Sequence, residues 1–314
     1  MTLIDMNGHF GRIDGSVGLA LEDGGVCLRA KKSDIITVTE RFGSSSSDTK
    51  MCDAVFSQKI QDIITPLLPE NEGIEIEYLS PVRPHIGLGS GTQIALSAAA
   101  AVNDLYSLGR DVRELAQITR RGGTSGIGVL AFEKGGFIVD CGHKTTDKDG
   151  FLPSSKSTAP PAGLIFRTVF PDWDVVIAIP PTCGISGETE KAFFQSVCPV
   201  PIDDVREISY TILMQMLPAI AEQDIESFGK AINRIQGLGF KKHEVEIQPP
   251  VVKETAALML KSGLCGAGVS SFGPAIYGFS ENRKQSEEIR KILLEKMPAG
   301  SDVLITKANN TGAK

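Results

Sequence analysis

A glycine-rich segment in the first third of the chain constrains the fold more than any other feature. It reads GLGSGTQ over 87–93, follows an alternating strand pattern over 73–79, and leads into a small-residue run of high helix propensity over 94–103. A turn between a strand and a helix presents backbone N–H groups at the positive end of the helix dipole, and glycine lets an anion approach them. We therefore predict a phosphate site at Gly87, Gly89, Ser90, Gly91, Thr92 and Gln93. The alternative is a tight connection without a ligand.

The spacing within this segment excludes two common nucleotide loops. No Gly-Lys-Ser/Thr follows, as a Walker A loop requires, and the glycines lack the full spacing of a dinucleotide fingerprint. Two further loops, over 120–128 and 265–271, have the same composition of small, donor-rich residues. Three such loops suit a ligand with more than one phosphate, and the first of them adds Thr124, Ser125 and Gly126 to the predicted phosphate site.

Four charged residues are further candidates for chemistry. Arg121 could bind a phosphate or carboxylate through two parallel bonds, or it could complement the dipole of the preceding helix. Asp140 and His143 end a predicted strand together, so they lie either in one cleft or in a solvent-exposed turn. Glu188 stands in the first turn of a predicted helix, where it either complements the dipole or binds Mg²⁺.

The pattern of elements predicts an α+β protein with two halves, 1–160 and 161–314. In the first half we expect a glycine-turn hairpin within 13–40, a mobile loop at 44–47, helices over 49–68 and 111–121, and a second hairpin over 128–141. The polar stretch 144–163 predicts a lid or a connection between the halves. In the second half we expect strands at 174–179 and 302–306, a hairpin over 266–278, and helices over 203–223, 224–238, 251–262 and 282–297.

Composition and charge exclude several classes of protein. The 32 Lys and Arg against 38 Asp and Glu give a net charge of −6, and no basic run of five occurs, so we expect no nucleic-acid partner. No apolar stretch reaches the roughly 18 residues of a membrane span. The six cysteines form no C-x-x-C pair and the four histidines have no metal spacing. We expect a cytoplasmic protein whose cysteines are reduced and mostly buried.

Three of these features occur in the order of a known superfamily. An early glycine-rich segment, a central Gly-Leu-Gly-Ser loop at a helix start and a Gly-Ala-Gly hairpin resemble the motifs of the GHMP kinases, which act on galactose, homoserine, mevalonate and phosphomevalonate. The resemblance implies a ribosomal-protein-S5-like N-terminal half and a ferredoxin-like α+β C-terminal half. It also implies a first strand that ends where residues 3–5 begin. Only two residues stand before residue 3 to form that strand. Those kinases usually continue Ser-Ser-Ala, whereas this chain has Ser90-Gly-Thr-Gln93, which disfavours ATP kinase chemistry.

A closer resemblance within that superfamily extends over nearly the whole chain. Seven short motifs in order resemble those of the β-ribofuranosylaminobenzene 5′-phosphate synthases. They are 3–8 (LIDMNG), 11–15 (GRIDG), 85–93 (HIGLGSGTQ), 121–128 (RGGTSGIG), 151–154 (FLPS), 187–188 (GE) and 270–274 (SSFGP). Val269 and Cys141 depart from the pattern, because they stand where a polar residue and a glycine are expected.

The resemblance implies an activity and a set of site residues. The activity is the first committed step toward methanopterin, in which phosphoribosyl pyrophosphate condenses with 4-aminobenzoate or 4-hydroxybenzoate and releases carbon dioxide and pyrophosphate. It implies Mg²⁺, with Glu188 as its candidate ligand, catalytic roles for Asp140, His143 and Arg121, and a homodimer. The implied substrate-binding residues are Asp5, Asn7, Arg12, Asp14, His85, Ser270 and Ser271. An ATP-dependent kinase of the same fold and a non-catalytic ligand sensor are the alternatives.

Overall fold

The computed structural model describes residues 1–41, 49–51, 54–79, 86–154, 156–185 and 187–314. The strands are β1 (Thr2–Asp5), β2 (Arg12–Leu19), β3 (Leu28–Ser33), β4 (Thr37–Arg41), β5 (Thr49–Met51), β6 (Gly73–Tyr78), β7 (Phe137–Asp140), β8 (His143–Lys144), β9 (Leu164–Thr168), β10 (Asp174–Ile179), β11 (Cys265–Val269), β12 (Ile276–Ser280) and β13 (Asp302–Thr306). The helices are α1 (Ala54–Ile64), α2 (Ser90–Leu105), α3 (Val112–Ile118), α4 (Ile127–Lys134), α5 (Glu188–Val197), α6 (Ile202–Thr211), α7 (Leu217–Glu222), α8 (Ile225–Ile235), α9 (Gly239–Glu246), α10 (Pro250–Lys261) and α11 (Arg283–Lys296). A 3₁₀ turn follows α1 at Thr65–Leu67, and a π-helical turn joins α6 to α7 at Ile212–Met216.

The described residues of the N-terminal half form two sheets. The first has the order β1-β2-β7-β9, with β8 also paired to β2, and all of its pairs are antiparallel. The second has the order β3-β6-β4-β5, in which β4 and β6 are parallel. Its apolar side chains share a core with those of α1, α2 and α3, including Ile76 and Leu96, which are fully buried. This core holds the N-terminal part of α2 in place.

The C-terminal half is a single antiparallel sheet covered by helices. Its strand order is β11-β12-β10-β13, and α8, α10 and α11 pack against it. A cluster of buried aromatic side chains, including Phe170, Trp173, Phe228 and Phe279, fills one part of the core. The α+β class predicted from the sequence is confirmed, although the patterns did not indicate the helices α4 and α9.

The hairpin predicted within 13–40 is wrong. Strand β2 pairs with β1, β7 and β8, whereas β3 lies in the other sheet against β6. The Asp23-Gly-Gly segment therefore connects two sheets and does not turn one strand back on the next. β1 spans Thr2–Asp5, so the residues expected to follow a first strand are themselves a strand.

The hairpin predicted over 128–141 is also wrong in its first arm, because Ile127–Lys134 is helix α4. A short apolar run is compatible with either structure. The helix is accommodated by Gly18 on β2, where a Cβ atom would overlap the Ile127 side chain. Gly18 thus allows α4 to pack closely against the first sheet.

Several predicted boundaries are confirmed. β6, β10 and β13 match their predicted strands, and β11 and β12 form the predicted C-terminal hairpin. A capping box opens α3, since Asp111 Oδ1 accepts from the N–H of Glu114 at 2.8 Å and Glu114 Oε2 accepts from the N–H of Asp111 at 3.0 Å. The segment predicted as helix over 49–68 begins with strand β5 before α1. The predicted mobile loop at 44–47 lies outside the described residues.

Strand β9 follows the predicted division near residue 160 but belongs to the N-terminal sheet, where it pairs with β7. The end of the chain also returns to this half, as Ala308 forms a bridge with Leu21. The division at 160 stays a prediction. Along the described part of the chain, the helices are too short or too polar to cross a membrane.

The prediction of mostly buried cysteines is wrong for the cysteines that the structure describes. All five are free thiols, and none is fully buried. Cys27 and Cys183 are exposed because they lie in irregular segments outside the sheets.

Candidate functional site

The glycine-rich loop ends in the N-terminus of α2, as the sequence predicts. Gly89 caps this helix in the left-handed region, with φ +71°, and nothing lies within 4 Å of the place where its Cβ would be. Gly89 and Gly91 are both exposed. The first turn of a helix carries N–H groups without intrahelical partners, so an anion can reach the backbone here.

Arg121 borders this helix start. Its Nη1 atom lies 3.9 Å from the position that a Cβ on Gly91 would occupy. Its Nε atom is buried and has no hydrogen-bond partner, and within the described ranges no ion pair joins the guanidinium to a carboxylate. Burial lowers the pKa of Arg121, and burial followed by the charge of Arg121 lowers the pKa of Lys59 on α1. The positive charges of Arg121 and Lys59 are therefore close enough to affect each other.

The other residues of the glycine-rich segment contact protein. A Cβ on Gly87 would overlap the carbonyl oxygen of Ser270, and Ser270 Oγ donates to the carbonyl of Gly87 at 2.8 Å. The side chain of Thr92 lies against Gly128, and Gln93 Nε2 donates to the carbonyl of Gly128 at 2.8 Å. These residues fix the loop in position, whereas Gly89, Ser90 and Gly91 form its open part. Phosphate contacts of Thr92 and Gln93 stay a prediction.

Asp140 lies beneath the second loop, with its carboxylate fully buried. Its Oδ2 atom accepts from Ser16 Oγ and, at 2.9 Å, from the N–H of Gly126, and its Oδ1 atom accepts from the N–H of Gly142 at 2.9 Å. Ser16 Oγ also lies 2.7 Å from Ser125 Oγ. Burial raises the pKa of Asp140, and these hydrogen bonds oppose the rise. The carboxylate ties the loop to β2 and β7, and a catalytic role for it stays a prediction.

Asp14, His143 and Lys148 form a buried cluster of polar side chains. Asp14 is fully buried and has φ +67°. His143 Nδ1 lies 2.6 Å from Asp14 Oδ2, and His143 Nε2 lies 3.0 Å from the carbonyl oxygen of Pro160. Lys148 Nζ donates to both carboxylate oxygens of Asp14, at 3.0 and 2.9 Å. Asp140 thus ends β7 and His143 begins β8, and the two side chains contact different partners.

The polar segment 144–163 packs around the loop over 121–126. Thr124 Oγ1 donates to the carbonyl of Leu152 at 2.6 Å, and the N–H of Ala162 donates to the carbonyl of Gly122 at 3.1 Å. A Cβ on Gly123 would lie 2.8 Å from Ser157 Oγ. The segment that the sequence predicted as a lid or a connection is therefore packed against this loop.

The substrate-binding residues that the resemblance implies near the start of the chain form a turn next to the cluster of Asp14, His143 and Lys148. Asp5 Oδ1 accepts from the N–H groups of Asn7 and Gly8, both at 2.9 Å. Asn7 Nδ2 donates to the carbonyl of Val200 at 2.7 Å. Arg12 donates to the carbonyl of Cys141 through Nε at 3.1 Å and through Nη2 at 2.9 Å.

Three predicted site residues are not part of the contacts above, and one of them lies outside the residues that the structure describes. Glu188 is exposed and pairs with Lys156 at 2.5 Å, and hydrogen bonding to Lys156 lowers the pKa of Glu188. Ser271 is exposed with φ +51°. His85 lies outside the described residues. Among the side chains that the structure describes, no group of three or more His, Cys, Asp or Glu residues could hold a metal ion.

Sequence reasoning missed Ser16, Lys59 and Lys148. None of them belongs to a motif, and Lys148 stands in a stretch whose polar composition indicates an exposed loop. Only the fold brings Ser16 on β2 under Asp140 and Lys148 next to Asp14.

Comparisons with known proteins agree with this architecture. The family description "GHMP kinases N terminal domain" matches residues 50–136, and "GHMP kinases C terminal" matches residues 216–299. The solved homoserine kinase from Cytophaga hutchinsonii superposes with a TM-score of 0.66 at 17% identity, covering 99% of this chain and 93% of that chain.

Two curated relatives match over the full length of this chain. A protein of Archaeoglobus fulgidus named "Beta-ribofuranosylphenol 5'-phosphate synthase" is 44% identical over 100% of this chain and 96% of its own length. A protein of Methanocaldococcus jannaschii with the same name is 40% identical over 100% of this chain and 96% of its own length. With the two-part fold and the glycine-rich loop at the start of α2, these matches show that the chain belongs to the β-ribofuranosylphenol 5′-phosphate synthase family of the GHMP kinase superfamily.

Proposed function

We propose that this chain transfers the phosphoribosyl group of phosphoribosyl pyrophosphate to a 4-hydroxybenzoate or 4-aminobenzoate, with release of carbon dioxide and pyrophosphate. The ring carbon that bears the carboxylate attacks C1 of the ribose, and pyrophosphate leaves with the electron pair of the C1–O bond. The bond to the carboxylate then breaks, and its electron pair restores the aromatic ring. No base is needed, because no ring proton leaves.

The observation that carries this proposal is the Arg121 guanidinium, half-buried and without an anionic partner in the described part of the chain, beside the open start of α2. A buried cation without a partner has a high free-energy cost, which a bound anion removes. The departing pyrophosphate gains charge in the transition state, where fixed donors stabilise it most. The N–H groups of Ser90 and Gly91 and the guanidinium of Arg121 would serve as those donors.

The acceptor's carboxylate also needs a cation. Arg12 donates to backbone carbonyls through Nε and Nη2 only, so within the described ranges its Nη1 atom has no hydrogen-bond partner. We assign the benzoate carboxylate to Arg12, because Arg121 lies at the phosphate loop. The carboxylate thereby faces the end of β7, where Arg12 is held.

The described residues do not fit a protein-ligated Mg²⁺ ion, since they contain no cluster of three potential ligands and Glu188 is paired with Lys156. Mg²⁺ often binds through substrate phosphates with one or two carboxylates. We therefore propose that any Mg²⁺ enters as the complex with phosphoribosyl pyrophosphate. We assign no step of the reaction to it.

The test is a product assay with purified protein. We expect labelled carbon dioxide from the carboxyl carbon of 4-hydroxybenzoate or 4-aminobenzoate in equal amount with pyrophosphate, and no dependence on ATP. Formation of ADP from ATP would instead indicate a small-molecule kinase. Binding of phosphoribosyl pyrophosphate without release of pyrophosphate would indicate a ligand sensor.

A further inference from the structure

Lys148 is almost completely buried, although it stands in a segment whose polar composition indicates an exposed loop. Its side chain is 1% exposed, and its Nζ atom has four acceptors within 3.0 Å. Beyond the two oxygens of Asp14, they are Thr124 Oγ1 at 2.9 Å and the carbonyl oxygen of Leu152 at 3.0 Å. An ammonium group has three protons, so these acceptors engage all of them. Lys148 therefore has no proton left to donate to a substrate.

The surroundings of Lys148 pair its ammonium group with a carboxylate. Burial lowers the pKa of Lys148, and the negative charge of Asp14 opposes this fall without cancelling it. An ammonium removed from water is unfavourable unless it is paired and hydrogen-bonded. Asp14 also contacts His143, which in turn lies 3.0 Å from the carbonyl of Pro160, so one carboxylate holds the polar segment at two points.

Through Thr124 this cluster reaches the anion site. Thr124 accepts from Lys148 and donates to Leu152, and Lys148 also donates to Leu152, so the three residues form a closed ring of hydrogen bonds. The loop that contains Thr124 begins at Arg121, and two glycines separate the two residues. Glycines alone do not fix the direction of a side chain, because their backbone is permissive. The hydrogen bonds of Thr124 restrict this backbone, together with the bond from the N–H of Ala162 to the carbonyl of Gly122.

We propose, on the basis of the proposed function, that Lys148 is a positioning residue for the pyrophosphate group. It holds the loop over 121–126 by way of Thr124, and thereby directs Arg121 toward the start of α2. The same arrangement makes Asp14 the counter-charge of Lys148, which differs from the direct substrate contact that the sequence implied for Asp14. The supporting residues of a site are as important to its geometry as the residues that touch the ligand.

The test compares Thr124→Val, Lys148→Met and the double variant with wild type. Thr124→Val keeps the shape of the side chain and the Lys148–Asp14 pair, but removes both hydrogen bonds of the hydroxyl. We expect each single variant to raise KM for phosphoribosyl pyrophosphate and Kd for inorganic pyrophosphate about tenfold, the scale of one lost charge-assisted hydrogen bond. KM for the benzoate should stay unchanged. The double variant should be no worse than the worse single variant, because both changes remove one connection.

Lys144→Met is the matched control, since Lys144 is an exposed lysine in the same segment. A merely structural role would lower Tm without separating the two KM values, and that result would overturn the proposal. If Lys148→Met does not fold, Thr124→Val decides by itself, and an unchanged Kd for pyrophosphate in it refutes the positioning role. A wild-type protein that binds pyrophosphate but does not release it from phosphoribosyl pyrophosphate would refute the proposed function instead.

Discussion

The hydroxyl of Ser270 donates a hydrogen bond to the carbonyl oxygen of Gly87, 2.8 Å away, and so joins the C-terminal hairpin to the glycine-rich loop. A second contact supports it, since the N–H of Ala275 donates to the carbonyl of Ile86 at 3.1 Å. The loop is held from the C-terminal half on one side and by α4 on the other. Its remaining open part, at Gly89 and Gly91, is the part that borders Arg121.

Replacement of this arginine should separate binding from stability. Arg121→Met removes a half-buried charge that has no partner in the described part of the chain, so we expect Tm to equal or exceed that of wild type. Kd for phosphoribosyl pyrophosphate should rise at least about tenfold, because charge-assisted hydrogen bonds to the anion are lost. Calorimetric titration and thermal unfolding measure the two effects.

Arg120→Met is the control, because Arg120 is the exposed neighbour. It should change neither quantity. Equal losses of affinity in both variants would mean that general positive charge, and not the Arg121 contact, attracts the ligand.

Gly89→Val should abolish tight binding at a moderate loss of stability. A non-glycine residue at φ +71° costs about 1–2 kcal/mol, and the branched side chain would cover the N–H groups at the start of α2. Gly109→Val is a matched comparison, since Gly109 has φ +68° and an equally open surrounding away from the loop. Similar falls in Tm with a loss of affinity only in Gly89→Val would support the site. A loss of affinity in both variants would not.

Much of the fold was predictable because its signals are local. The capping box at Asp111, the start of α2 at Ser90 and the last strand all follow from short patterns of residue type. The helix over 127–134 was not predictable, since a short apolar run suits a strand as well as a helix. Its packing against Gly18, more than a hundred residues earlier, decides the outcome.

The sequence indicated the open loop at Gly89, Ser90 and Gly91 and the neighbouring Arg121, but not the contacts around them. The burial of Lys148 and the environment of Asp140 arise from long-range pairing of β2 with β7 and β8, which no local pattern shows. Both Asp14 and Asp140 are the kind of residue that sequence reasoning assigns to chemistry. In the structure their oxygens are engaged by protein donors.

The proposed reaction makes a prediction about the acceptor. An electron-donating para substituent raises the electron density at the ring carbon that attacks, so 4-hydroxybenzoate and 4-aminobenzoate should react. Benzoate should bind as a competitive inhibitor against them, since it keeps the carboxylate, and should release carbon dioxide far more slowly. Comparable rates for all three acids would contradict attack by the ring carbon.

Glu190 on α5 should make stability depend on pH. Burial, and secondly the charge of Glu244, raises the pKa of Glu190 from 4.5 to about 7. Between these values the folded state holds a proton that the unfolded state has lost, so stability falls as pH rises through that window. Glu190→Gln removes the group, and its Tm should therefore decline less than that of wild type between pH 5 and pH 7.

Glu188→Gln is the control, because hydrogen bonding to Lys156 lowers the pKa of Glu188 below the window. Parallel Tm curves for wild type and Glu190→Gln would show that Glu190 does not titrate there.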